Sequence, residues 1–339
     1  MVRNVHEIRV SLKGDGDCTT IREALSLAGE YEGGAVCIRI GAGVYTEKVV
    51  LTQDRITFEG AGAEETILSW GDYARAISPD GTEYGTFRTA TMMVDADCFT
   101  ARNMTFRNTA GSGEEIGQAL ALYVDGDRIF FENCRITGGQ DTLFTAPLPP
   151  APLIKNGFKG PKENAPRRMG RHWYKDCLIS GDVDFIFGGA TAFFEGCEIV
   201  SVGKGFVTAA STPENEKYGY VFDRCIFRGE CEEGGVYLGR PWRDYARTVI
   251  MNSYIGSHIH EEGWHDWDKK SARVKALYAE YRNSGPGADI SRRAEWVRSL
   301  TDEEAKAYTR EAVLGLKQEW DDRNKDTGTE AAGQRGDGI

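Results

Sequence analysis

The chain of 339 residues carries 41 Lys and Arg against 52 Asp and Glu, a net charge of -11, and 40% hydrophobic residues. The acidic surplus excludes a nucleic acid partner and disfavours tight binding of a long polyanion, while the apolar fraction is sufficient for one elongated domain with a large core. No apolar run approaches the roughly 18 residues of a membrane-spanning helix, so we expect no membrane partner and a monomer.

The first ten residues, MVRNVHEIRV, lack the apolar centre of a secretory signal. We therefore expect a cytoplasmic protein, or a secreted one if a signal has been removed. The eight cysteines are then expected to be free thiols rather than four disulfides, because the cytosol keeps thiols reduced.

The first predicted element is a short amphipathic helix over Cys18 to Gly29. Thr20 and Glu23 have the spacing of a capping box, in which each side chain accepts a hydrogen bond from a free amide at the helix start. Gly29 is a typical helix stop. Beyond Val36 the sequence changes to short apolar runs broken by Gly, Asn and Asp, and this pattern predicts strands.

A six-residue template recurs along the chain and determines the predicted fold. Its copies begin 30, 43, 20, 28 and 28 residues apart, and they are ARNMTF (101–106), FENCRI (131–136), YKDCLI (174–179), FEGCEI (194–199), FDRCIF (222–227) and IMNSYI (250–255). Short strands repeated at this period without helices between them are typical of a solenoid, in which each coil buries its apolar face against its neighbours. We predict an all-β fold, a right-handed parallel β-helix, as a single domain over residues 1–326.

The fourth position of the template holds a small or soft side chain in every copy, namely Met104, Cys134, Cys177, Cys197, Cys225 and Ser253. Buried free cysteine behaves as a small hydrophobic residue, so we interpret this series as a packing ladder inside the coil. Metal binding is the alternative, but no C-x-x-C or histidine spacing accompanies these cysteines.

The 43-residue interval contains an insertion, residues 145–170, which holds six of the ten prolines. This density of proline predicts a stiff, irregular loop rather than a helix or strand. The loop leaves the coil directly after the motif GQDTLF (139–144). We therefore expect it to form one wall of the cleft to which that motif contributes.

Charged helical sequence follows from residue 271 and predicts a helical tail over 271–320 that covers the solenoid. Within it, Thr301 and Glu304 form a second capping box, and Gly315 is a stop. Residues 327–339 are rich in Gly, Glu and Gln and are expected to be disordered.

Two stretches share the spacing G-x-x-D-x-[LI]-F, GGQDTLF (138–144) and GDVDFIF (181–187), and each carries one aspartate. Strands of adjacent coils lie about 4.8 Å apart, so stacking of the two copies would place Asp141 and Asp184 side by side. Asp184 precedes an apolar run typical of a buried strand, where a charged residue requires a reason. Paired carboxylates are a catalytic arrangement.

Two amides, Gln118 and Gln140, and the arginine of YLGRPW, Arg240, accompany the aspartates. A neutral amide can stabilise an oxyanion without neutralising a nearby carboxylate, so the set indicates acyl chemistry. Arginine paired with one aspartate would keep it ionised, and that charge would raise the pKa of the other aspartate and hold it protonated. Any one of these residues alone more often caps backbone groups at a corner of the solenoid.

Seven motifs occur in a characteristic order between about residues 8 and 320, and they are GVYTE (43–47), QALAL (118–122), GQDTLF (139–144), DVDFIFG (182–188), LGRPW (238–242), HEEGW (260–264) and GPGA (285–288). Because of these seven motifs, the chain resembles the pectin methylesterase (pectinesterase) family. The resemblance implies a β-helix that removes methyl groups from esterified galacturonic acid units of pectin or its oligomers, with no metal and no cofactor.

The resemblance also implies a role for each matching residue. Asp184 corresponds to the nucleophile and Asp141 to the general acid and base. Gln118 and Gln140 correspond to the oxyanion hole, and Arg240 to the residue that orients the nucleophile. Positions that line the sugar cleft correspond to Tyr123, Phe144, Phe187 and Trp242. Aromatic faces suit the apolar faces of pyranose rings, although core packing is an equal alternative for the two phenylalanines.

Other functions remain open from the residues alone. Carboxyls about 5 Å apart also suit a retaining glycoside hydrolase, although the paired glutamines argue against one. A pectate lyase would need a carboxylate cluster for calcium, and a non-catalytic carbohydrate-binding solenoid would tolerate loss of the aspartates. A serine esterase is disfavoured because no G-x-S-x-G motif occurs.

The five histidines do not have the spacing of a metal site, and His258 and His260 are interpreted as a polar surface pair on one strand.

Many members of the resembled family are secreted and act on polymeric pectin. Because this chain is acidic and begins without a signal, we expect short oligogalacturonides as its substrate.

Overall fold

The computed structural model describes residues 5–31 and 34–315. In these ranges the chain forms a right-handed parallel β-helix, which confirms the prediction from the repeat. The same residues contain no helix with the length and apolar character needed to span a membrane. The predicted disorder of 327–339 concerns residues outside the described ranges.

The strands of the described ranges are short, with two exceptions near the middle of the chain. In chain order they are β1 (His6–Val10), β2 (Val36–Ile40), β3 (Gly43–Thr46), β4 (Val49–Leu51), β5 (Ile56–Gly60), β6 (Thr66–Trp70), β7 (Met92–Asp95), β8 (Thr100–Arg102), β9 (Thr105–Asn108), β10 (Leu122–Asp125), β11 (Ile129–Glu132), β12 (Arg135–Thr137), β13 (Leu143–Thr145), β14 (Arg171–Lys175), β15 (Leu178–Gly188), β16 (Thr191–Glu195), β17 (Glu198–Ala210), β18 (Tyr220–Asp223), β19 (Ile226–Gly229), β20 (Val236–Gly239), β21 (Arg247–Met251), β22 (Tyr254–Ile255), β23 (Leu277–Tyr281) and β24 (Arg298–Ser299). The helices are α1 (Ile21–Ala28), α2 (Gly113–Ile116), α3 (Ala272–Lys275), α4 (Asp302–Ala305) and α5 (Arg310–Leu314), and 3-10 turns occur at Thr86–Arg88, Ile290–Arg292 and Lys306–Tyr308.

The strands stack into three parallel faces. One sheet has the order β1-β2-β5-β8-β11-β14-β16-β18-β21-β23-β24. The other two faces are β3-β6-β9-β12 and β4-β7-β10-β13, and the long strands β15 and β17 join them into one sheet. In β15 the register shifts between Gly181 and Val183 and again before Ile186, so one strand bends from one face to the next.

The corner after the first face is made by the third residue of the six-residue template. Asn103, Asn133, Asp176, Arg224 and Asn252 have φ between 49° and 56°, in the left-handed region. Asn and Asp tolerate this conformation better than most residues, so their recurrence in the template has a backbone cause. The following residues stack in register, with Thr105, Arg135, Leu178, Glu198, Ile226 and Tyr254 on successive coils.

The fourth template position forms the predicted ladder. Its residues, Met104, Cys134, Cys177, Cys197, Cys225 and Ser253, are all buried with at most 1% exposed. The first template position adds an aromatic stack, with ring centroids 5.2 Å apart for Phe131 and Tyr174, 4.8 Å for Tyr174 and Phe194, and 4.3 Å for Phe194 and Phe222. Both columns fill the inside of the coil, so the cysteines are structural, as predicted.

None of the eight cysteines, all of which lie in the described ranges, forms a disulfide, and three of them, Cys18, Cys98 and Cys231, are partly exposed. We expect these three thiols to react rapidly with a disulfide reagent such as DTNB in the native protein, and the other five to react only after unfolding. Access of the reagent is the reason for the difference, since burial raises the pKa of Cys18 and Cys231 as well as that of Cys134 and Cys197. Rapid reaction of more than three thiol equivalents in the native protein would contradict this.

The N-terminal helix α1 is built as predicted. Thr20 accepts a hydrogen bond from the Glu23 amide, the Glu23 carboxylate accepts one from the Thr20 amide, and Gly29 is the C-cap. Ile21, Ala24 and Ala28 are buried against the core. The helix therefore covers the open end of the solenoid with its apolar face.

The predicted helical tail is only partly correct. Leu277–Tyr281 forms β23, which pairs in parallel with β21, so a continuous helix from residue 271 is wrong. Unpaired backbone groups at the end of the sheet override the helical propensity of this segment. The later part is helical, with the Thr301 and Glu304 capping box and a stop at Gly315, and Leu314 is buried in a cluster over the first face.

Candidate active site

The site lies on the outer side of the β10-β13-β15-β17 face, where the two copies of the G-x-x-D motif are neighbours. Leu143 pairs with Ile186 and Phe144 with Phe187, so Asp141 and Asp184 are offset by the same single coil. The Asp141 amide donates to the Val183 carbonyl at 3.0 Å. The predicted juxtaposition of the two aspartates is confirmed, and both side chains line one cleft.

Both aspartates have a left-handed backbone conformation. Their φ values are +63° for Asp141 and +50° for Asp184. Aspartate adopts this conformation more readily than most non-glycine residues, as it does at the corners of the coil. Here the flanking strand pairs fix it, and the result is that both carboxyls point out of the sheet into the cleft.

Arg240 pairs with Asp184 through two parallel hydrogen bonds. Its Nε donates to Oδ1 at 2.9 Å and its Nη2 donates to Oδ2 at 2.6 Å. Bidentate pairing of this kind fixes the orientation of a carboxylate and favours its ionised form. Asp184 is only 6% exposed, so this pairing is shielded from water.

The two carboxyls differ in the pKa that their surroundings impose. Burial, and then the charge of Asp184, raise the pKa of Asp141 well above its usual range. Burial also raises the pKa of Asp184, but the hydrogen bonds and charge of Arg240 oppose that rise. As pH increases, Asp184 therefore loses its proton first, which leaves a carboxylate beside a carboxylic acid.

Gln118 and Gln140 are neighbours on adjacent coils, joined by a parallel β-bridge. The backbone of this pair is tied further by the Ala119 amide, which donates to the Gln140 carbonyl at 3.0 Å. Both side chains line the same cleft as the aspartates. The structure thus brings together all five residues that the sequence analysis placed in the reaction.

Asp182 is a residue of the site that the sequence analysis did not assign. Its buried carboxylate accepts a hydrogen bond from the Gly113 amide at 2.8 Å, which attaches α2 to the motif that carries Asp184. A Cβ on Gly113 would lie 2.5 Å from the Gln140 Cβ, so only glycine fits there. The signal that could have identified it is the first aspartate of DVDFIFG, which holds the segment that leads from Gly113 to Gln118.

Arg240 lies between two aromatic rings, Phe206 at 3.9 Å and Trp267 at 3.7 Å from the guanidinium carbon. Neither ring was predicted, because Phe206 lies in β17 and Trp267 in a distant loop, and neither belongs to a recognised motif. Stacking from both sides holds the guanidinium plane in line with the Asp184 carboxylate.

We expect Trp267→Leu to lower kcat/KM for methyl ester cleavage about 10-fold, because a desolvated cation–π contact is worth about 2 kcal/mol and Phe206 retains the other face. Initial rates at matched substrate concentration measure this. Trp296→Leu is the matched control, since Trp296 packs near Tyr278 and does not line the cleft. Unchanged activity in Trp267→Leu would show that the ring does not hold Arg240.

The four predicted cleft aromatics divide into two pairs. Phe187 and Trp242 line the cleft. Tyr123 and Phe144 are 1% and 0% exposed and do not line it, so their prediction as sugar-contacting residues was wrong. The physical reason is Phe87, whose ring packs 5.0 Å from that of Phe144 and 6.1 Å from that of Tyr123 and lies between them and the cleft. Phe87 also lines the cleft and was missed.

The insertion forms one wall of the cleft, as predicted. Residues 146–170 contain no helix or strand, and Pro152, Leu153, Ile154, Gly157 and Phe158 line the cleft. The other lining residues include Trp242, Arg243 and Trp267, and the cavity volume is about 330 Å³. This space suits one or two sugar units beside the aspartates.

The interpretation of His258 as part of a surface pair is wrong. His258 is buried, 4% exposed, and burial lowers its pKa to about 4, so it does not belong to a surface pair. His260 stacks on Tyr237 at 4.5 Å. Within the described ranges, His265, Asp266 and Asp268 form a possible cation-binding group, but Asp266 is already paired with Arg273 at 2.6 Å.

The fold and the cleft together define a carboxylic ester hydrolase built on a parallel β-helix. The family model described as Pectinesterase matches residues 7–148 and 158–317, and the chain belongs to that family. It is therefore a pectinesterase, which removes methyl ester groups from pectin. The matched ranges omit residues 149–157, the tip of the insertion.

Individual relatives agree along the length of the chain. Pectinesterase 31 of Arabidopsis thaliana is 35% identical over 321 residues, which cover 92% of this chain and 93% of that protein. The solved structure of pectin methylesterase from carrot is 31% identical, with a TM-score of 0.79 and coverage of 94% and 95%. A pectin methylesterase in complex with hexasaccharide VII is 28% identical, with a TM-score of 0.74 and coverage of 92% and 98%.

Proposed function

We propose that this pectinesterase cleaves the C6 methyl ester of galacturonic acid units through a covalent intermediate on Asp184. The observation that carries the proposal is the bidentate pair of Arg240 with a buried Asp184 directly beside a second buried carboxyl, Asp141. The arrangement supplies one ionised nucleophile and one protonated acid from the same residue type. Neither carboxyl requires a metal to reach its state.

In the first step a carboxylate oxygen of Asp184 attacks the ester carbonyl carbon. The amides of Gln118 and Gln140 donate to the oxygen on which negative charge develops. When the tetrahedral intermediate collapses, the bond to the methoxy oxygen breaks and Asp141 gives that oxygen its proton. Methanol leaves, Asp141 becomes a carboxylate, and an anhydride joins Asp184 to the sugar carboxyl.

In the second step Asp141 acts as a base. It takes a proton from a water molecule, whose oxygen attacks the carbonyl carbon of the former ester. The anhydride bond breaks, Asp184 returns to its carboxylate form beside Arg240, and the sugar acid dissociates its proton to the solvent. Asp141 is again protonated, so both residues have regained their starting states.

A retaining glycoside hydrolase is the rival that the paired carboxyls allow. The two reactions differ in product, since the ester hydrolase releases methanol and the glycosidase releases new reducing ends. We expect methanol from methylated pectin with no increase in reducing ends, with or without a chelator. Reducing ends without methanol would overturn the proposal.

We further propose that the substrate is preferentially short, because the insertion places a wall of five residues along a cleft of about 330 Å³. Turnover of methylated trigalacturonate should then exceed that of polymeric pectin at equal ester concentration. Equal or faster turnover of the polymer would remove the support for this preference. The expectation of a cytoplasmic enzyme that acts on such oligomers stays a prediction.

A further inference from the structure

The tip of the insertion places two aliphatic side chains at the cleft in an unusual way. Leu153 and Ile154 line the cavity, yet they are 69% and 73% exposed. Single exposed hydrophobic residues are common on protein surfaces, but two adjacent ones at the mouth of a binding cleft form a continuous apolar surface. We call Leu153 and Ile154 the apolar rim.

The apolar rim is held in place from both ends. On one side Arg243 donates from Nη2 to the Ala151 carbonyl at 2.9 Å. On the other side Phe158 is buried, with its ring 5.8 Å from Phe87 and 6.1 Å from Trp242. The exposed side chains are thus presented on a fixed backbone rather than on a loose loop.

Arg167 stabilises the two ends of the insertion. Its guanidinium donates to the carbonyls of Pro149 at 3.2 Å, Lys162 at 2.9 Å, Glu163 at 2.8 Å and Ala165 at 2.6 Å. These bonds satisfy the backbone of an irregular segment that has no strand partner. The four hydrogen bonds of Arg167 therefore fix the backbone on both sides of the apolar rim.

The charge near the rim does not favour a carboxylate ligand. Arg243 is the cation of the cleft wall on this side, and two of its nitrogens already donate to the carbonyls of Trp242 and Ala151. Lys155 directly follows the rim but does not line the cleft. A free carboxylate placed against Leu153 and Ile154 would lose hydration without a hydrogen-bond donor from either side chain, whereas a methyl ester has no charge to desolvate.

We propose that Leu153 and Ile154 are specificity-determining residues that contact the methyl ester of a sugar unit next to the one being cleaved. The inference rests on the proposed function, since it concerns how that reaction selects its substrate. The enzyme then prefers an ester whose neighbours are also esterified over an isolated ester between free carboxylates. The rim lies within residues 149–157, which the family model does not match, so the preference belongs to this chain's own insertion.

The test uses two trigalacturonates that carry a deuterated methyl ester on the central unit. In one the outer units are esterified with ordinary methyl groups, and in the other they are free acids. The ratio of kcat/KM for release of deuterated methanol from the two substrates reports the neighbour preference alone. We expect a ratio of about 10 for the unaltered enzyme, since a methyl group in an apolar pocket changes specificity by 10-fold or more.

The double variant L153S/I154S should lower this ratio towards 1, and Leu153→Lys should bring it below 1 because a cation there attracts the free carboxylates. The matched control is Val274→Ser, which removes a side chain that is 86% exposed and lies outside the cleft. It should leave the ratio unchanged. Because each ratio compares two substrates on the same protein, partial misfolding of a variant does not alter it.

A ratio near 1 in the unaltered enzyme, or an undiminished ratio in L153S/I154S, would overturn the assignment of the rim while leaving the ester hydrolase intact. Failure of the proposed function has a different signature. It would appear as an absence of methanol release from both substrates, and it would overturn the rim assignment as well.

Discussion

Asp184→Asn is expected to lower the rate of methanol release from methylated pectin by about 10⁴-fold or more, since replacing a nucleophile removes the covalent route altogether. The amide has the size of the carboxylate and can still accept a hydrogen bond from Arg240, so the fold should be retained. A methanol assay together with thermal unfolding separates loss of chemistry from loss of structure. Substantial remaining activity would reject Asp184 as the nucleophile.

The matched control is Asp127→Asn. Asp127 is also paired with an arginine, accepting from Arg171 Nε at 2.9 Å and Nη2 at 2.8 Å, but it does not line the cleft. Both variants lose one ionic partner of a bidentate pair. We expect Asp127→Asn to release methanol at nearly the unaltered rate, so a large loss in Asp184→Asn alone is specific to the site.

Asp141→Asn is expected to lower kcat by about 10³-fold, because general acid and base catalysis commonly contributes 10²- to 10⁴-fold and this residue acts in both steps. The amide can neither give a proton to methanol nor take one from water. The effect should be smaller than that of Asp184→Asn, because the nucleophile and the oxyanion donors remain.

The pH dependence distinguishes the two aspartates. The active form needs Asp184 ionised and Asp141 protonated, so activity falls at low pH as Asp184 gains a proton and at high pH as Asp141 loses one. Burial and the Asp184 charge raise the pKa of Asp141, so the alkaline limb should lie well above the usual range of a carboxyl. In Asp141→Asn the alkaline limb should disappear and the acid limb should stay. An alkaline limb that survives the substitution would assign it to another group.

Much of the site could be predicted because its residues lie at equivalent positions of adjacent coils of the solenoid. The interval of 43 residues between Asp141 and Asp184 is the interval between strands that pair in register, so equal motif positions become spatial neighbours. Gln118 and Gln140 are brought together in the same way. Arg240 was found only through its motif, since its distance to Asp184 depends on how β20 leads into the following loop.

Other parts of the site could not be predicted, because they depend on how a strand residue meets residues from loops that do not repeat. Phe206 and Trp267 reach the two faces of Arg240 from different segments. Phe87 reaches over Phe144 from the turn Thr86–Arg88. Such contacts depend on loop geometry, and a single sequence shows no periodic signal for them.

The sequence by itself determined the coil, its inward ladder of small residues and the stacking of the two aspartate motifs, because these follow from a local repeat that every coil obeys. Only the tertiary structure decided which aromatic rings reach the cleft, and that Leu277–Tyr281 is a strand rather than a helix. The physical reason is that exposure and edge pairing depend on what covers a segment from elsewhere in the chain. Tyr123, Phe144 and Phe187 lie on the outer side of the same face, but only Phe187 lines the cleft, because Phe87 packs over the other two rings.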